Sequence, residues 1–262
     1  MTDGILEEMT IEDVRAFHPE VVVFGVASVE PHGPALPYGT DYFKCDAVIR
    51  RGVTLANQGD ARALMYPTLP IGNNANFQGF PFACRMAPAT LMQVVLDIIE
   101  ALEQDGIRKV VVYDGHGGNT DTLRATLRAH AHRRRPGEGA FVCLTPDPPG
   151  LEIVRNLVEH PSMHGGESEV SDMLYLHEPL VRADKLGVSP RGKLAVEVLN
   201  RPGIHFVRPW HLFLPASADG DVRKATRAKG QARVDGAARH LSEILIGLSK
   251  APWTPNFPFA DE

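Results

Sequence analysis

The order of its segments predicts an α/β fold: one compact domain over residues 1–262, with a mostly parallel sheet flanked by helices. Three observations carry this expectation. Apolar, β-branched runs recur at Val21–Ala27, Lys109–Tyr113 and Ala140–Thr145, each of a length suited to a buried strand. Longer stretches with helical spacing lie between them, joined by short links. The polar clusters follow the strands directly, where ligands gather in parallel α/β sheets.

Taken in order, residues 1–20 read as a short amphipathic lead-in, with Thr10 as a cap before Ile11–Phe17. The first strand runs into Ser28–Asp41, a loop rich in Gly and Pro. Asp46–Gln58 then has helical spacing through Val48, Ile49, Val53, Leu55 and Ala56. Ala61–Leu69 returns to strand character, and a Gly/Asn/Phe-rich loop, Asn73–Met86, leads to Pro88. From there Leu91, Val94, Val95, Ile98, Ile99 and Leu102 form one apolar stripe, with Pro at the start and Gly106 at the stop. After the second strand, Thr120–Arg135 is helical, and its Arg133-Arg134-Arg135 end reads as a solvated terminus favoured by the macrodipole. Leu151–Glu159 is a further expected helix, and His164–Glu169 introduces another running to Glu178. Arg201–Ala216 is irregular. A final helix, Asp221–Ser249, closes the fold, and the Pro- and aromatic-rich tail Ala251–Phe259 is expected to dock on a surface.

Composition excludes several classes of function. A hydrophobic fraction of 44%, a charged fraction of 23% and a net charge of −5 are those of an ordinary globular protein. They give no electrostatic reason to expect nucleic acid or an anionic membrane surface. No apolar run approaches the roughly 20 residues that span a bilayer. The acidic N-terminus carries no signal-peptide pattern, and Cys45, Cys84 and Cys143 are scattered, so a cytoplasmic location with free thiols is expected.

The residues suited to chemistry sit in three places. Glu30 and His32, at i and i+2 in extended chain, are expected to share a face, and Asp41 follows. Glu, His and Asp form a donor set suited to zinc, manganese or ferrous iron, the alternative being a satisfied polar turn. His116 lies in Gly115-His116-Gly117-Gly118-Asn119, directly after a strand. That turn has neither the dinucleotide-binding glycine pattern nor a phosphate-binding lysine. His164, Glu167 and Glu169 form the third group. Two glutamates at i and i+2 cannot face one point from a helix, so one is expected to point at the site and the other to support it or face solvent. Among the remaining histidines, His205 and His211 are candidates for the pocket.

Together these stretches resemble the creatininase (creatinine amidohydrolase) family. The matching pieces are Glu30-x-His32-Gly33-Pro34 with Leu36-Pro37-x-Gly39-Thr40-Asp41, then Gly115-His116-Gly117-Gly118-Asn119, and His164-x-Gly166-Glu167-x-Glu169-x-Ser171. A weaker piece spans Gly220–Gly230. The resemblance implies two divalent metals in one site, with Glu30 and His116 serving one, His32 the other and Asp41 bridging both. A water or hydroxide between the metals would be the nucleophile, and His164 would carry a proton to the leaving group. In creatininase proper the histidine of the second motif is followed two residues later by a Glu ligand, where this chain has Gly118. The third motif of creatininase proper has an apolar residue where this chain has Glu167. Glu167 is therefore expected as the replacement metal ligand at the catalytic centre, with Glu169 supporting it. Asn119, Phe80, His205, Trp210 and His211 are expected to support the site or meet the substrate.

Three departures bear on that substrate. Pro31 stands where relatives often have Gln. The loop Phe77–Ala83 lacks the His and the Gly-Thr of the family's His-x-Gly-Phe-Pro-Gly-Thr stretch. The tryptophans that creatininase proper places near its third motif are replaced by Pro161-Ser162-Met163. The expected function is a dinuclear metal hydrolase opening a small cyclic amide or amide-bearing metabolite other than creatinine. Ring opening of a cyclic ketone, or a metal-stabilised binding protein without turnover, are the alternatives. The resemblance also implies a homo-oligomer, a hexamer, and the apolar tail Trp253–Phe259, with too little secondary structure to bury itself, is expected to be covered by a partner subunit.

Overall fold

A computed structural model describes residues 3–135, 137–146 and 157–259 of the chain. Its centre is a four-stranded parallel sheet in the order β2-β1-β3-β4, built from β1 (Val21–Val26), β2 (Ala63–Met65), β3 (Lys109–Asp114) and β4 (Phe141–Pro146). The period-two alternation of β1 and β3 divides the core. Val21, Val23, Val111 and Tyr113 face one side, and Val22, Phe24, Val26, Val110 and Val112 face the other. On the first side lie α2 (Thr40–Gln58) and the last helix, α7 (Arg227–Lys250). On the second lie α3 (Pro88–Gln104) and α4 (Thr120–His132). Gly25 is required by the closeness of α2, because a Cβ there would stand 2.6 Å from Cys45 Sγ.

The lead-in helix α1 (Ile11–Phe17) starts at Thr10, whose side chain forms a capping box with Asp13. Other boundaries moved for identifiable reasons. β2 is only three residues long because Pro67 and Pro70 cannot donate to the ladder, though Leu69 still bridges Val26. α2 begins six residues before the expected Asp46. Its first turn buries Thr40, Asp41 and Lys44 rather than apolar side chains, so hydrophobic periodicity does not register it. The arginines after α4 are not simply solvated: Arg133 lies 3.4 Å from Glu100, and Arg134 pairs with Glu103, both acids on α3. Most of the helix expected over 151–159 lies outside the described residues, and 157–159 are not helical.

After α5 (Glu167–Leu176), which stops before His177 and Pro179, the chain runs through short 3-10 turns. It then forms the two-residue strands β5 (Val188–Ser189) and β6 (Gly220–Asp221), with the one-turn helix α6 (Trp210–Phe213) between them. The final helix starts later than expected, at the cap Thr226, because Asp221 is taken into β6. The tail folds back on its own subunit. Phe257 meets Phe141 of β4 edge-on at 5.2 Å, Trp253 stacks on Phe257 at 5.2 Å, and Lys109 Nζ donates to Leu248 O at 2.7 Å. Phe259 stays 79% exposed. No helix among the described residues is long and apolar enough to cross a membrane.

The crossing of α5 and α7 explains the weaker sequence match around Gly230. A Cβ on Gly230 would lie 1.8 Å from Ser171 O, so the two backbones touch. Ser171 Oγ completes the joint by donating to Glu167 O at 2.7 Å and accepting from Thr226 N at 3.1 Å. Gly230→Ala is expected to lower stability by about 2–3 kcal/mol, the upper part of the range for overpacking, as read from the urea unfolding midpoint.

Candidate metal centre

β1 ends at Val26, and Glu30 and His32 lie beyond it in a buried turn, so no strand ladder positions them. The backbone holds them instead. Glu30 N donates to Tyr38 O at 2.9 Å, and His32 Nδ1 lies 3.0 Å from Glu30 O. A carbonyl can only accept, so the proton is assigned to Nδ1 and Nε2 faces inward. Nε2 is 3.2 Å from Asp41 Oδ1. Asp41 stands in the first turn of α2, and its other oxygen, Oδ2, is 3.0 Å from His116 Nδ1. His116 arrives from the end of β3, with Nε2 3.2 Å from Asn73 O and 3.2 Å from Glu30 Oε2. One carboxylate thus joins imidazoles delivered by two adjacent strand ends.

The third motif joins through Glu169, which corrects the expectation for Glu167. Two residues apart on α5, the glutamates point in nearly opposite directions. Glu167 faces α7: its carboxylate accepts from Lys229 Nζ at 2.7 Å and from His160 N at 2.8 Å, and it takes no part in the cluster. Glu169 faces the cluster, with Oε1 3.9 Å from His32 Nε2 and Oε2 accepting from Gly165 N at 2.5 Å. The place two residues after His116 is closed to a side chain, since a Cβ on Gly118 would stand 2.4 Å from both His116 Nε2 and Asn73 O.

His164 packs its ring on His32, 4.1 Å between centroids. Its Nε2 lies 2.8 Å from Pro31 O, which assigns the proton there, and Nδ1 is 3.8 Å from Glu30 Oε1. Trp210 and Phe77 cover it at 4.6 and 5.2 Å between ring centroids. Trp210 therefore belongs to the site, brought in by a loop far along the chain from the third motif. Phe80 is more remote, packing on Phe77 at 6.1 Å. His211 stands apart from the cluster, with its ring laid over the backbone of Gly79. His205 is exposed and lines a cleft of about 750 Å³ with Trp210, Asn73 and Gly118. Asn119 is a buried staple: its amide donates to Val26 O and Ala27 O at 3.1 and 3.2 Å and accepts from Asn73 N at 2.8 Å.

Several supporting residues escaped the sequence reading. Asp219 Oδ1 accepts from Met163 N and His164 N at 2.8 and 3.0 Å, while Oδ2 accepts from Arg191 Nε at 2.5 Å. Ser217 Oγ donates to Pro31 O at 2.7 Å. Both act on backbone from a distant loop, so no local pattern marks them.

The electrostatics ask for positive charge. Glu30 is fully buried, and neither of its oxygens has a hydrogen bond of acceptable geometry among the described residues. Burial, with the Asp41 charge adding to it, pushes its carboxyl up to about 7 against the pull of His116. Burial alone would depress His32, but Asp41, Glu169 and Glu30 outweigh it and push the imidazole up to about 10. His116 is likewise carried past its desolvation by Glu30 and Asp41, up to about 9. His164, desolvated and beside His32, is pushed down to about 4. An orphaned buried carboxylate costs several kcal/mol unless a cation meets it. Three overlapping groups, Glu30/Asp41/His116, His32/Asp41/Glu169 and Glu30/His32/His164, each place their ligand atoms within 4.8 Å of one another. The residues fit a divalent metal.

A parallel α/β fold with a carboxylate–imidazole cage at its strand ends defines a metal-dependent hydrolase. The family model of creatininase, creatinine amidohydrolase, matches residues 7–245, and the chain belongs to that family. The mycofactocin precursor peptide peptidase of Mycolicibacterium smegmatis is 27% identical over 255 residues, covering 94% of this chain and 90% of the relative. Among solved structures, a Bacteroides fragilis protein assigned as a creatinine amidohydrolase superposes with a TM-score of 0.86 at 24% identity, over 97% of this chain and all of that one. A manganese form of creatininase gives 0.76 at 22% identity, over 95% of this chain and 100% of that one.

Glu167→Gln is expected to lower stability by about 1–3 kcal/mol, because Lys229 loses a buried partner. Burial raises the Glu167 carboxyl, but Lys229 and the amides of His160 and Glu159 outweigh it and hold it below its usual range. Its contribution is then complete above about pH 4.5 and lost as pH falls through the depressed value. Urea midpoints of the two proteins should differ at pH 7 and converge as pH falls through the depressed Glu167 value.

Proposed function

We propose that this chain is a dinuclear metal hydrolase that cleaves an amide bond in a small, peptide-like molecule other than creatinine. The donor set carries the reading: Glu30, Asp41 and His116 would hold one divalent cation and His32, Asp41 and Glu169 the other, with Asp41 common to both groups. Zinc, manganese and ferrous iron suit these oxygen and nitrogen donors. Such ions, when bound, polarise a substrate carbonyl and lower the pKa of water toward neutrality.

The chain's own residues supply the rest. The Glu30 carbonyl fixes the His32 tautomer, so that Nε2 faces Asp41 and Glu169. His164 keeps a proton on Nε2 against Pro31 O and turns an unprotonated Nδ1 toward Glu30. At that nitrogen it can accept a proton and pass it to a leaving amine. Trp210 and Phe77 exclude water from its other faces. The adjoining cleft, about 750 Å³, is of a size that holds drug-sized ligands and has room beyond a single five-membered ring. The peptidase names of the curated relatives support an amide bond over a carbocyclic ketone.

We also infer a homo-oligomer, by the family resemblance a hexamer. The tail covers β4 of its own chain, but Phe82, Val207 and Leu212 stand 90%, 67% and 65% exposed and would gain from a partner. Light scattering at micromolar concentration should give a mass several times that of one chain, and a monomer mass would remove this inference.

Metal analysis separates the two glutamates. Glu169→Gln is expected to lose about one metal per subunit, while Glu167→Gln keeps the wild-type content; the opposite result would reverse the assignment. Hydrolysis assays on dipeptides, formamides, lactams, cyclic ureas and cyclic ketones should show turnover of amides that chelation abolishes. Turnover surviving complete metal removal would refute the mechanism.

A further inference from the structure

The cleft beside the candidate metal centre holds a cation that meets no acid among the described residues. Asn73, Gly118 and Trp210 line it, and Asn73 and Trp210 also contact His116 and His164, so the cleft shares a wall with the cluster. Along the wall stand Met163, Ile204, Phe206 and Arg208. Arg208 is the one arginine or lysine among the described lining residues. Its guanidinium sits 4.8 Å from the Phe213 ring centroid and 5.4 Å from that of Phe206, and it is half-buried. No carboxylate lies within salt-bridge distance of it among the described residues. The acid in the cleft, Asp121, is fully exposed and lies 3.7 Å from Arg124 on its own helix.

Several arginines are spent on acids, Arg50 on Glu7, Glu8 and Asp46, Arg51 on Asp235, Arg191 on Asp219, and Arg233 on Asp172, whereas Arg208 faces the cleft and meets aromatic rings. Two aromatic faces fix the plane of the Arg208 fork without using its N–H donors. A planar, preordered set of donors in a partly apolar cleft matches a carboxylate, which a guanidinium can grip with two parallel hydrogen bonds. A phosphate dianion would call for more positive charge, and no second lysine or arginine lines the described cleft; the glycine turn that does, Gly117-Gly118, belongs to neither phosphate-binding pattern and is followed by the acid Asp121.

We propose that Arg208 binds a carboxylate of the substrate, so that the molecule hydrolysed is an amide carrying a free acid, with an apolar portion against Met163, Ile204 and Trp210. The inference rests on the amide-hydrolase reading and narrows its substrate class to acid-bearing amides. Arg208 would act on binding, leaving the bond-breaking step to the metal cage and His164.

Trp210 reports on this cleft directly. In a Trp253→Phe background it is the only remaining tryptophan. The metal-loaded protein is titrated with N-acetyl-leucine and with N-acetyl-leucinamide, which differ in the terminal charge, and Trp210 emission is followed. The acid is expected to bind about tenfold or more tightly than the amide. In Arg208→Gln that ratio should fall to near one. In Arg208→Met, which keeps the side-chain stem over the two rings, it should fall equally. Arg208→Lys should retain part of it, since an ammonium keeps the charge but not the fork. Far-UV circular dichroism of each variant shows whether it is folded. Equal binding of acid and amide, no response to either, or an acid preference that survives in folded Arg208→Gln or Arg208→Met would overturn the proposal, the last result placing the carboxylate on the metals. Arg208-dependent acid binding without turnover of any amide in the hydrolysis panel would instead sink the amide-hydrolase reading and leave the carboxylate subsite standing.

Discussion

A fully buried carboxylate, Glu30, neither of whose oxygens makes a well-formed hydrogen bond among the described residues, sets the terms for everything around it. Its neighbours are two more carboxylates, Asp41 and Glu169, and three imidazoles. Such a cage is unfavourable as a piece of core, because desolvated negative charge must be met by protons or cations. Without a metal ion, protons on His32 and His116 answer that field, which is why both imidazoles titrate well above their ordinary range. The site is thus a place where local stability is given up for a charge-binding geometry, and the surrounding scaffold has to hold it by other means.

Those means are backbone contacts and close helix packing. The β1 turn is tied through Glu30 N, Pro31 O and the amide of Asn119. The His164 loop is tied through Asp219 to Arg191. α5 is set against α7 by the Gly230–Ser171 contact and by the Glu167–Lys229 pair. This joint fixes the rotation of α5 about its axis, and the rotation decides that Glu169, not Glu167, looks into the cage. Where creatininase proper carries a carboxylate just after its second-motif histidine, this chain has Gly118, and the carboxylate nearest the cluster from the third motif is Glu169 on α5. A side chain on Gly118 would displace His116.

The wall of the cleft shows the same substitution of source. No tryptophan stands near the third motif, yet Trp210, carried on a one-turn helix after a long irregular segment, lies against His164. Phe77, at the position of the family's histidine, completes an aromatic lining. These changes leave the metal cage intact while altering the shape and charge of what can reach it. That is how a common fold comes to serve different substrates.

The sequence by itself determined the parallel α/β architecture, because uninterrupted β-branched runs have no stable place except a sheet covered on both faces. Through the family resemblance it also pointed to Glu30, His32, Asp41 and His116 together, and the ends of adjacent strands do bring these four side chains close. Only the tertiary structure decided which glutamate joins them. Residues two apart on a helix point in opposite directions, and the choice between them depends on how α7 holds α5. The early start of α2 was hidden for a related reason: its buried face is polar there, and polar burial looks like exposure to a hydrophobic pattern. Asp219, Ser217, Asn73 and the Arg208 wall were equally invisible. They act across loops separated by many residues, and only the folded chain brings such loops together.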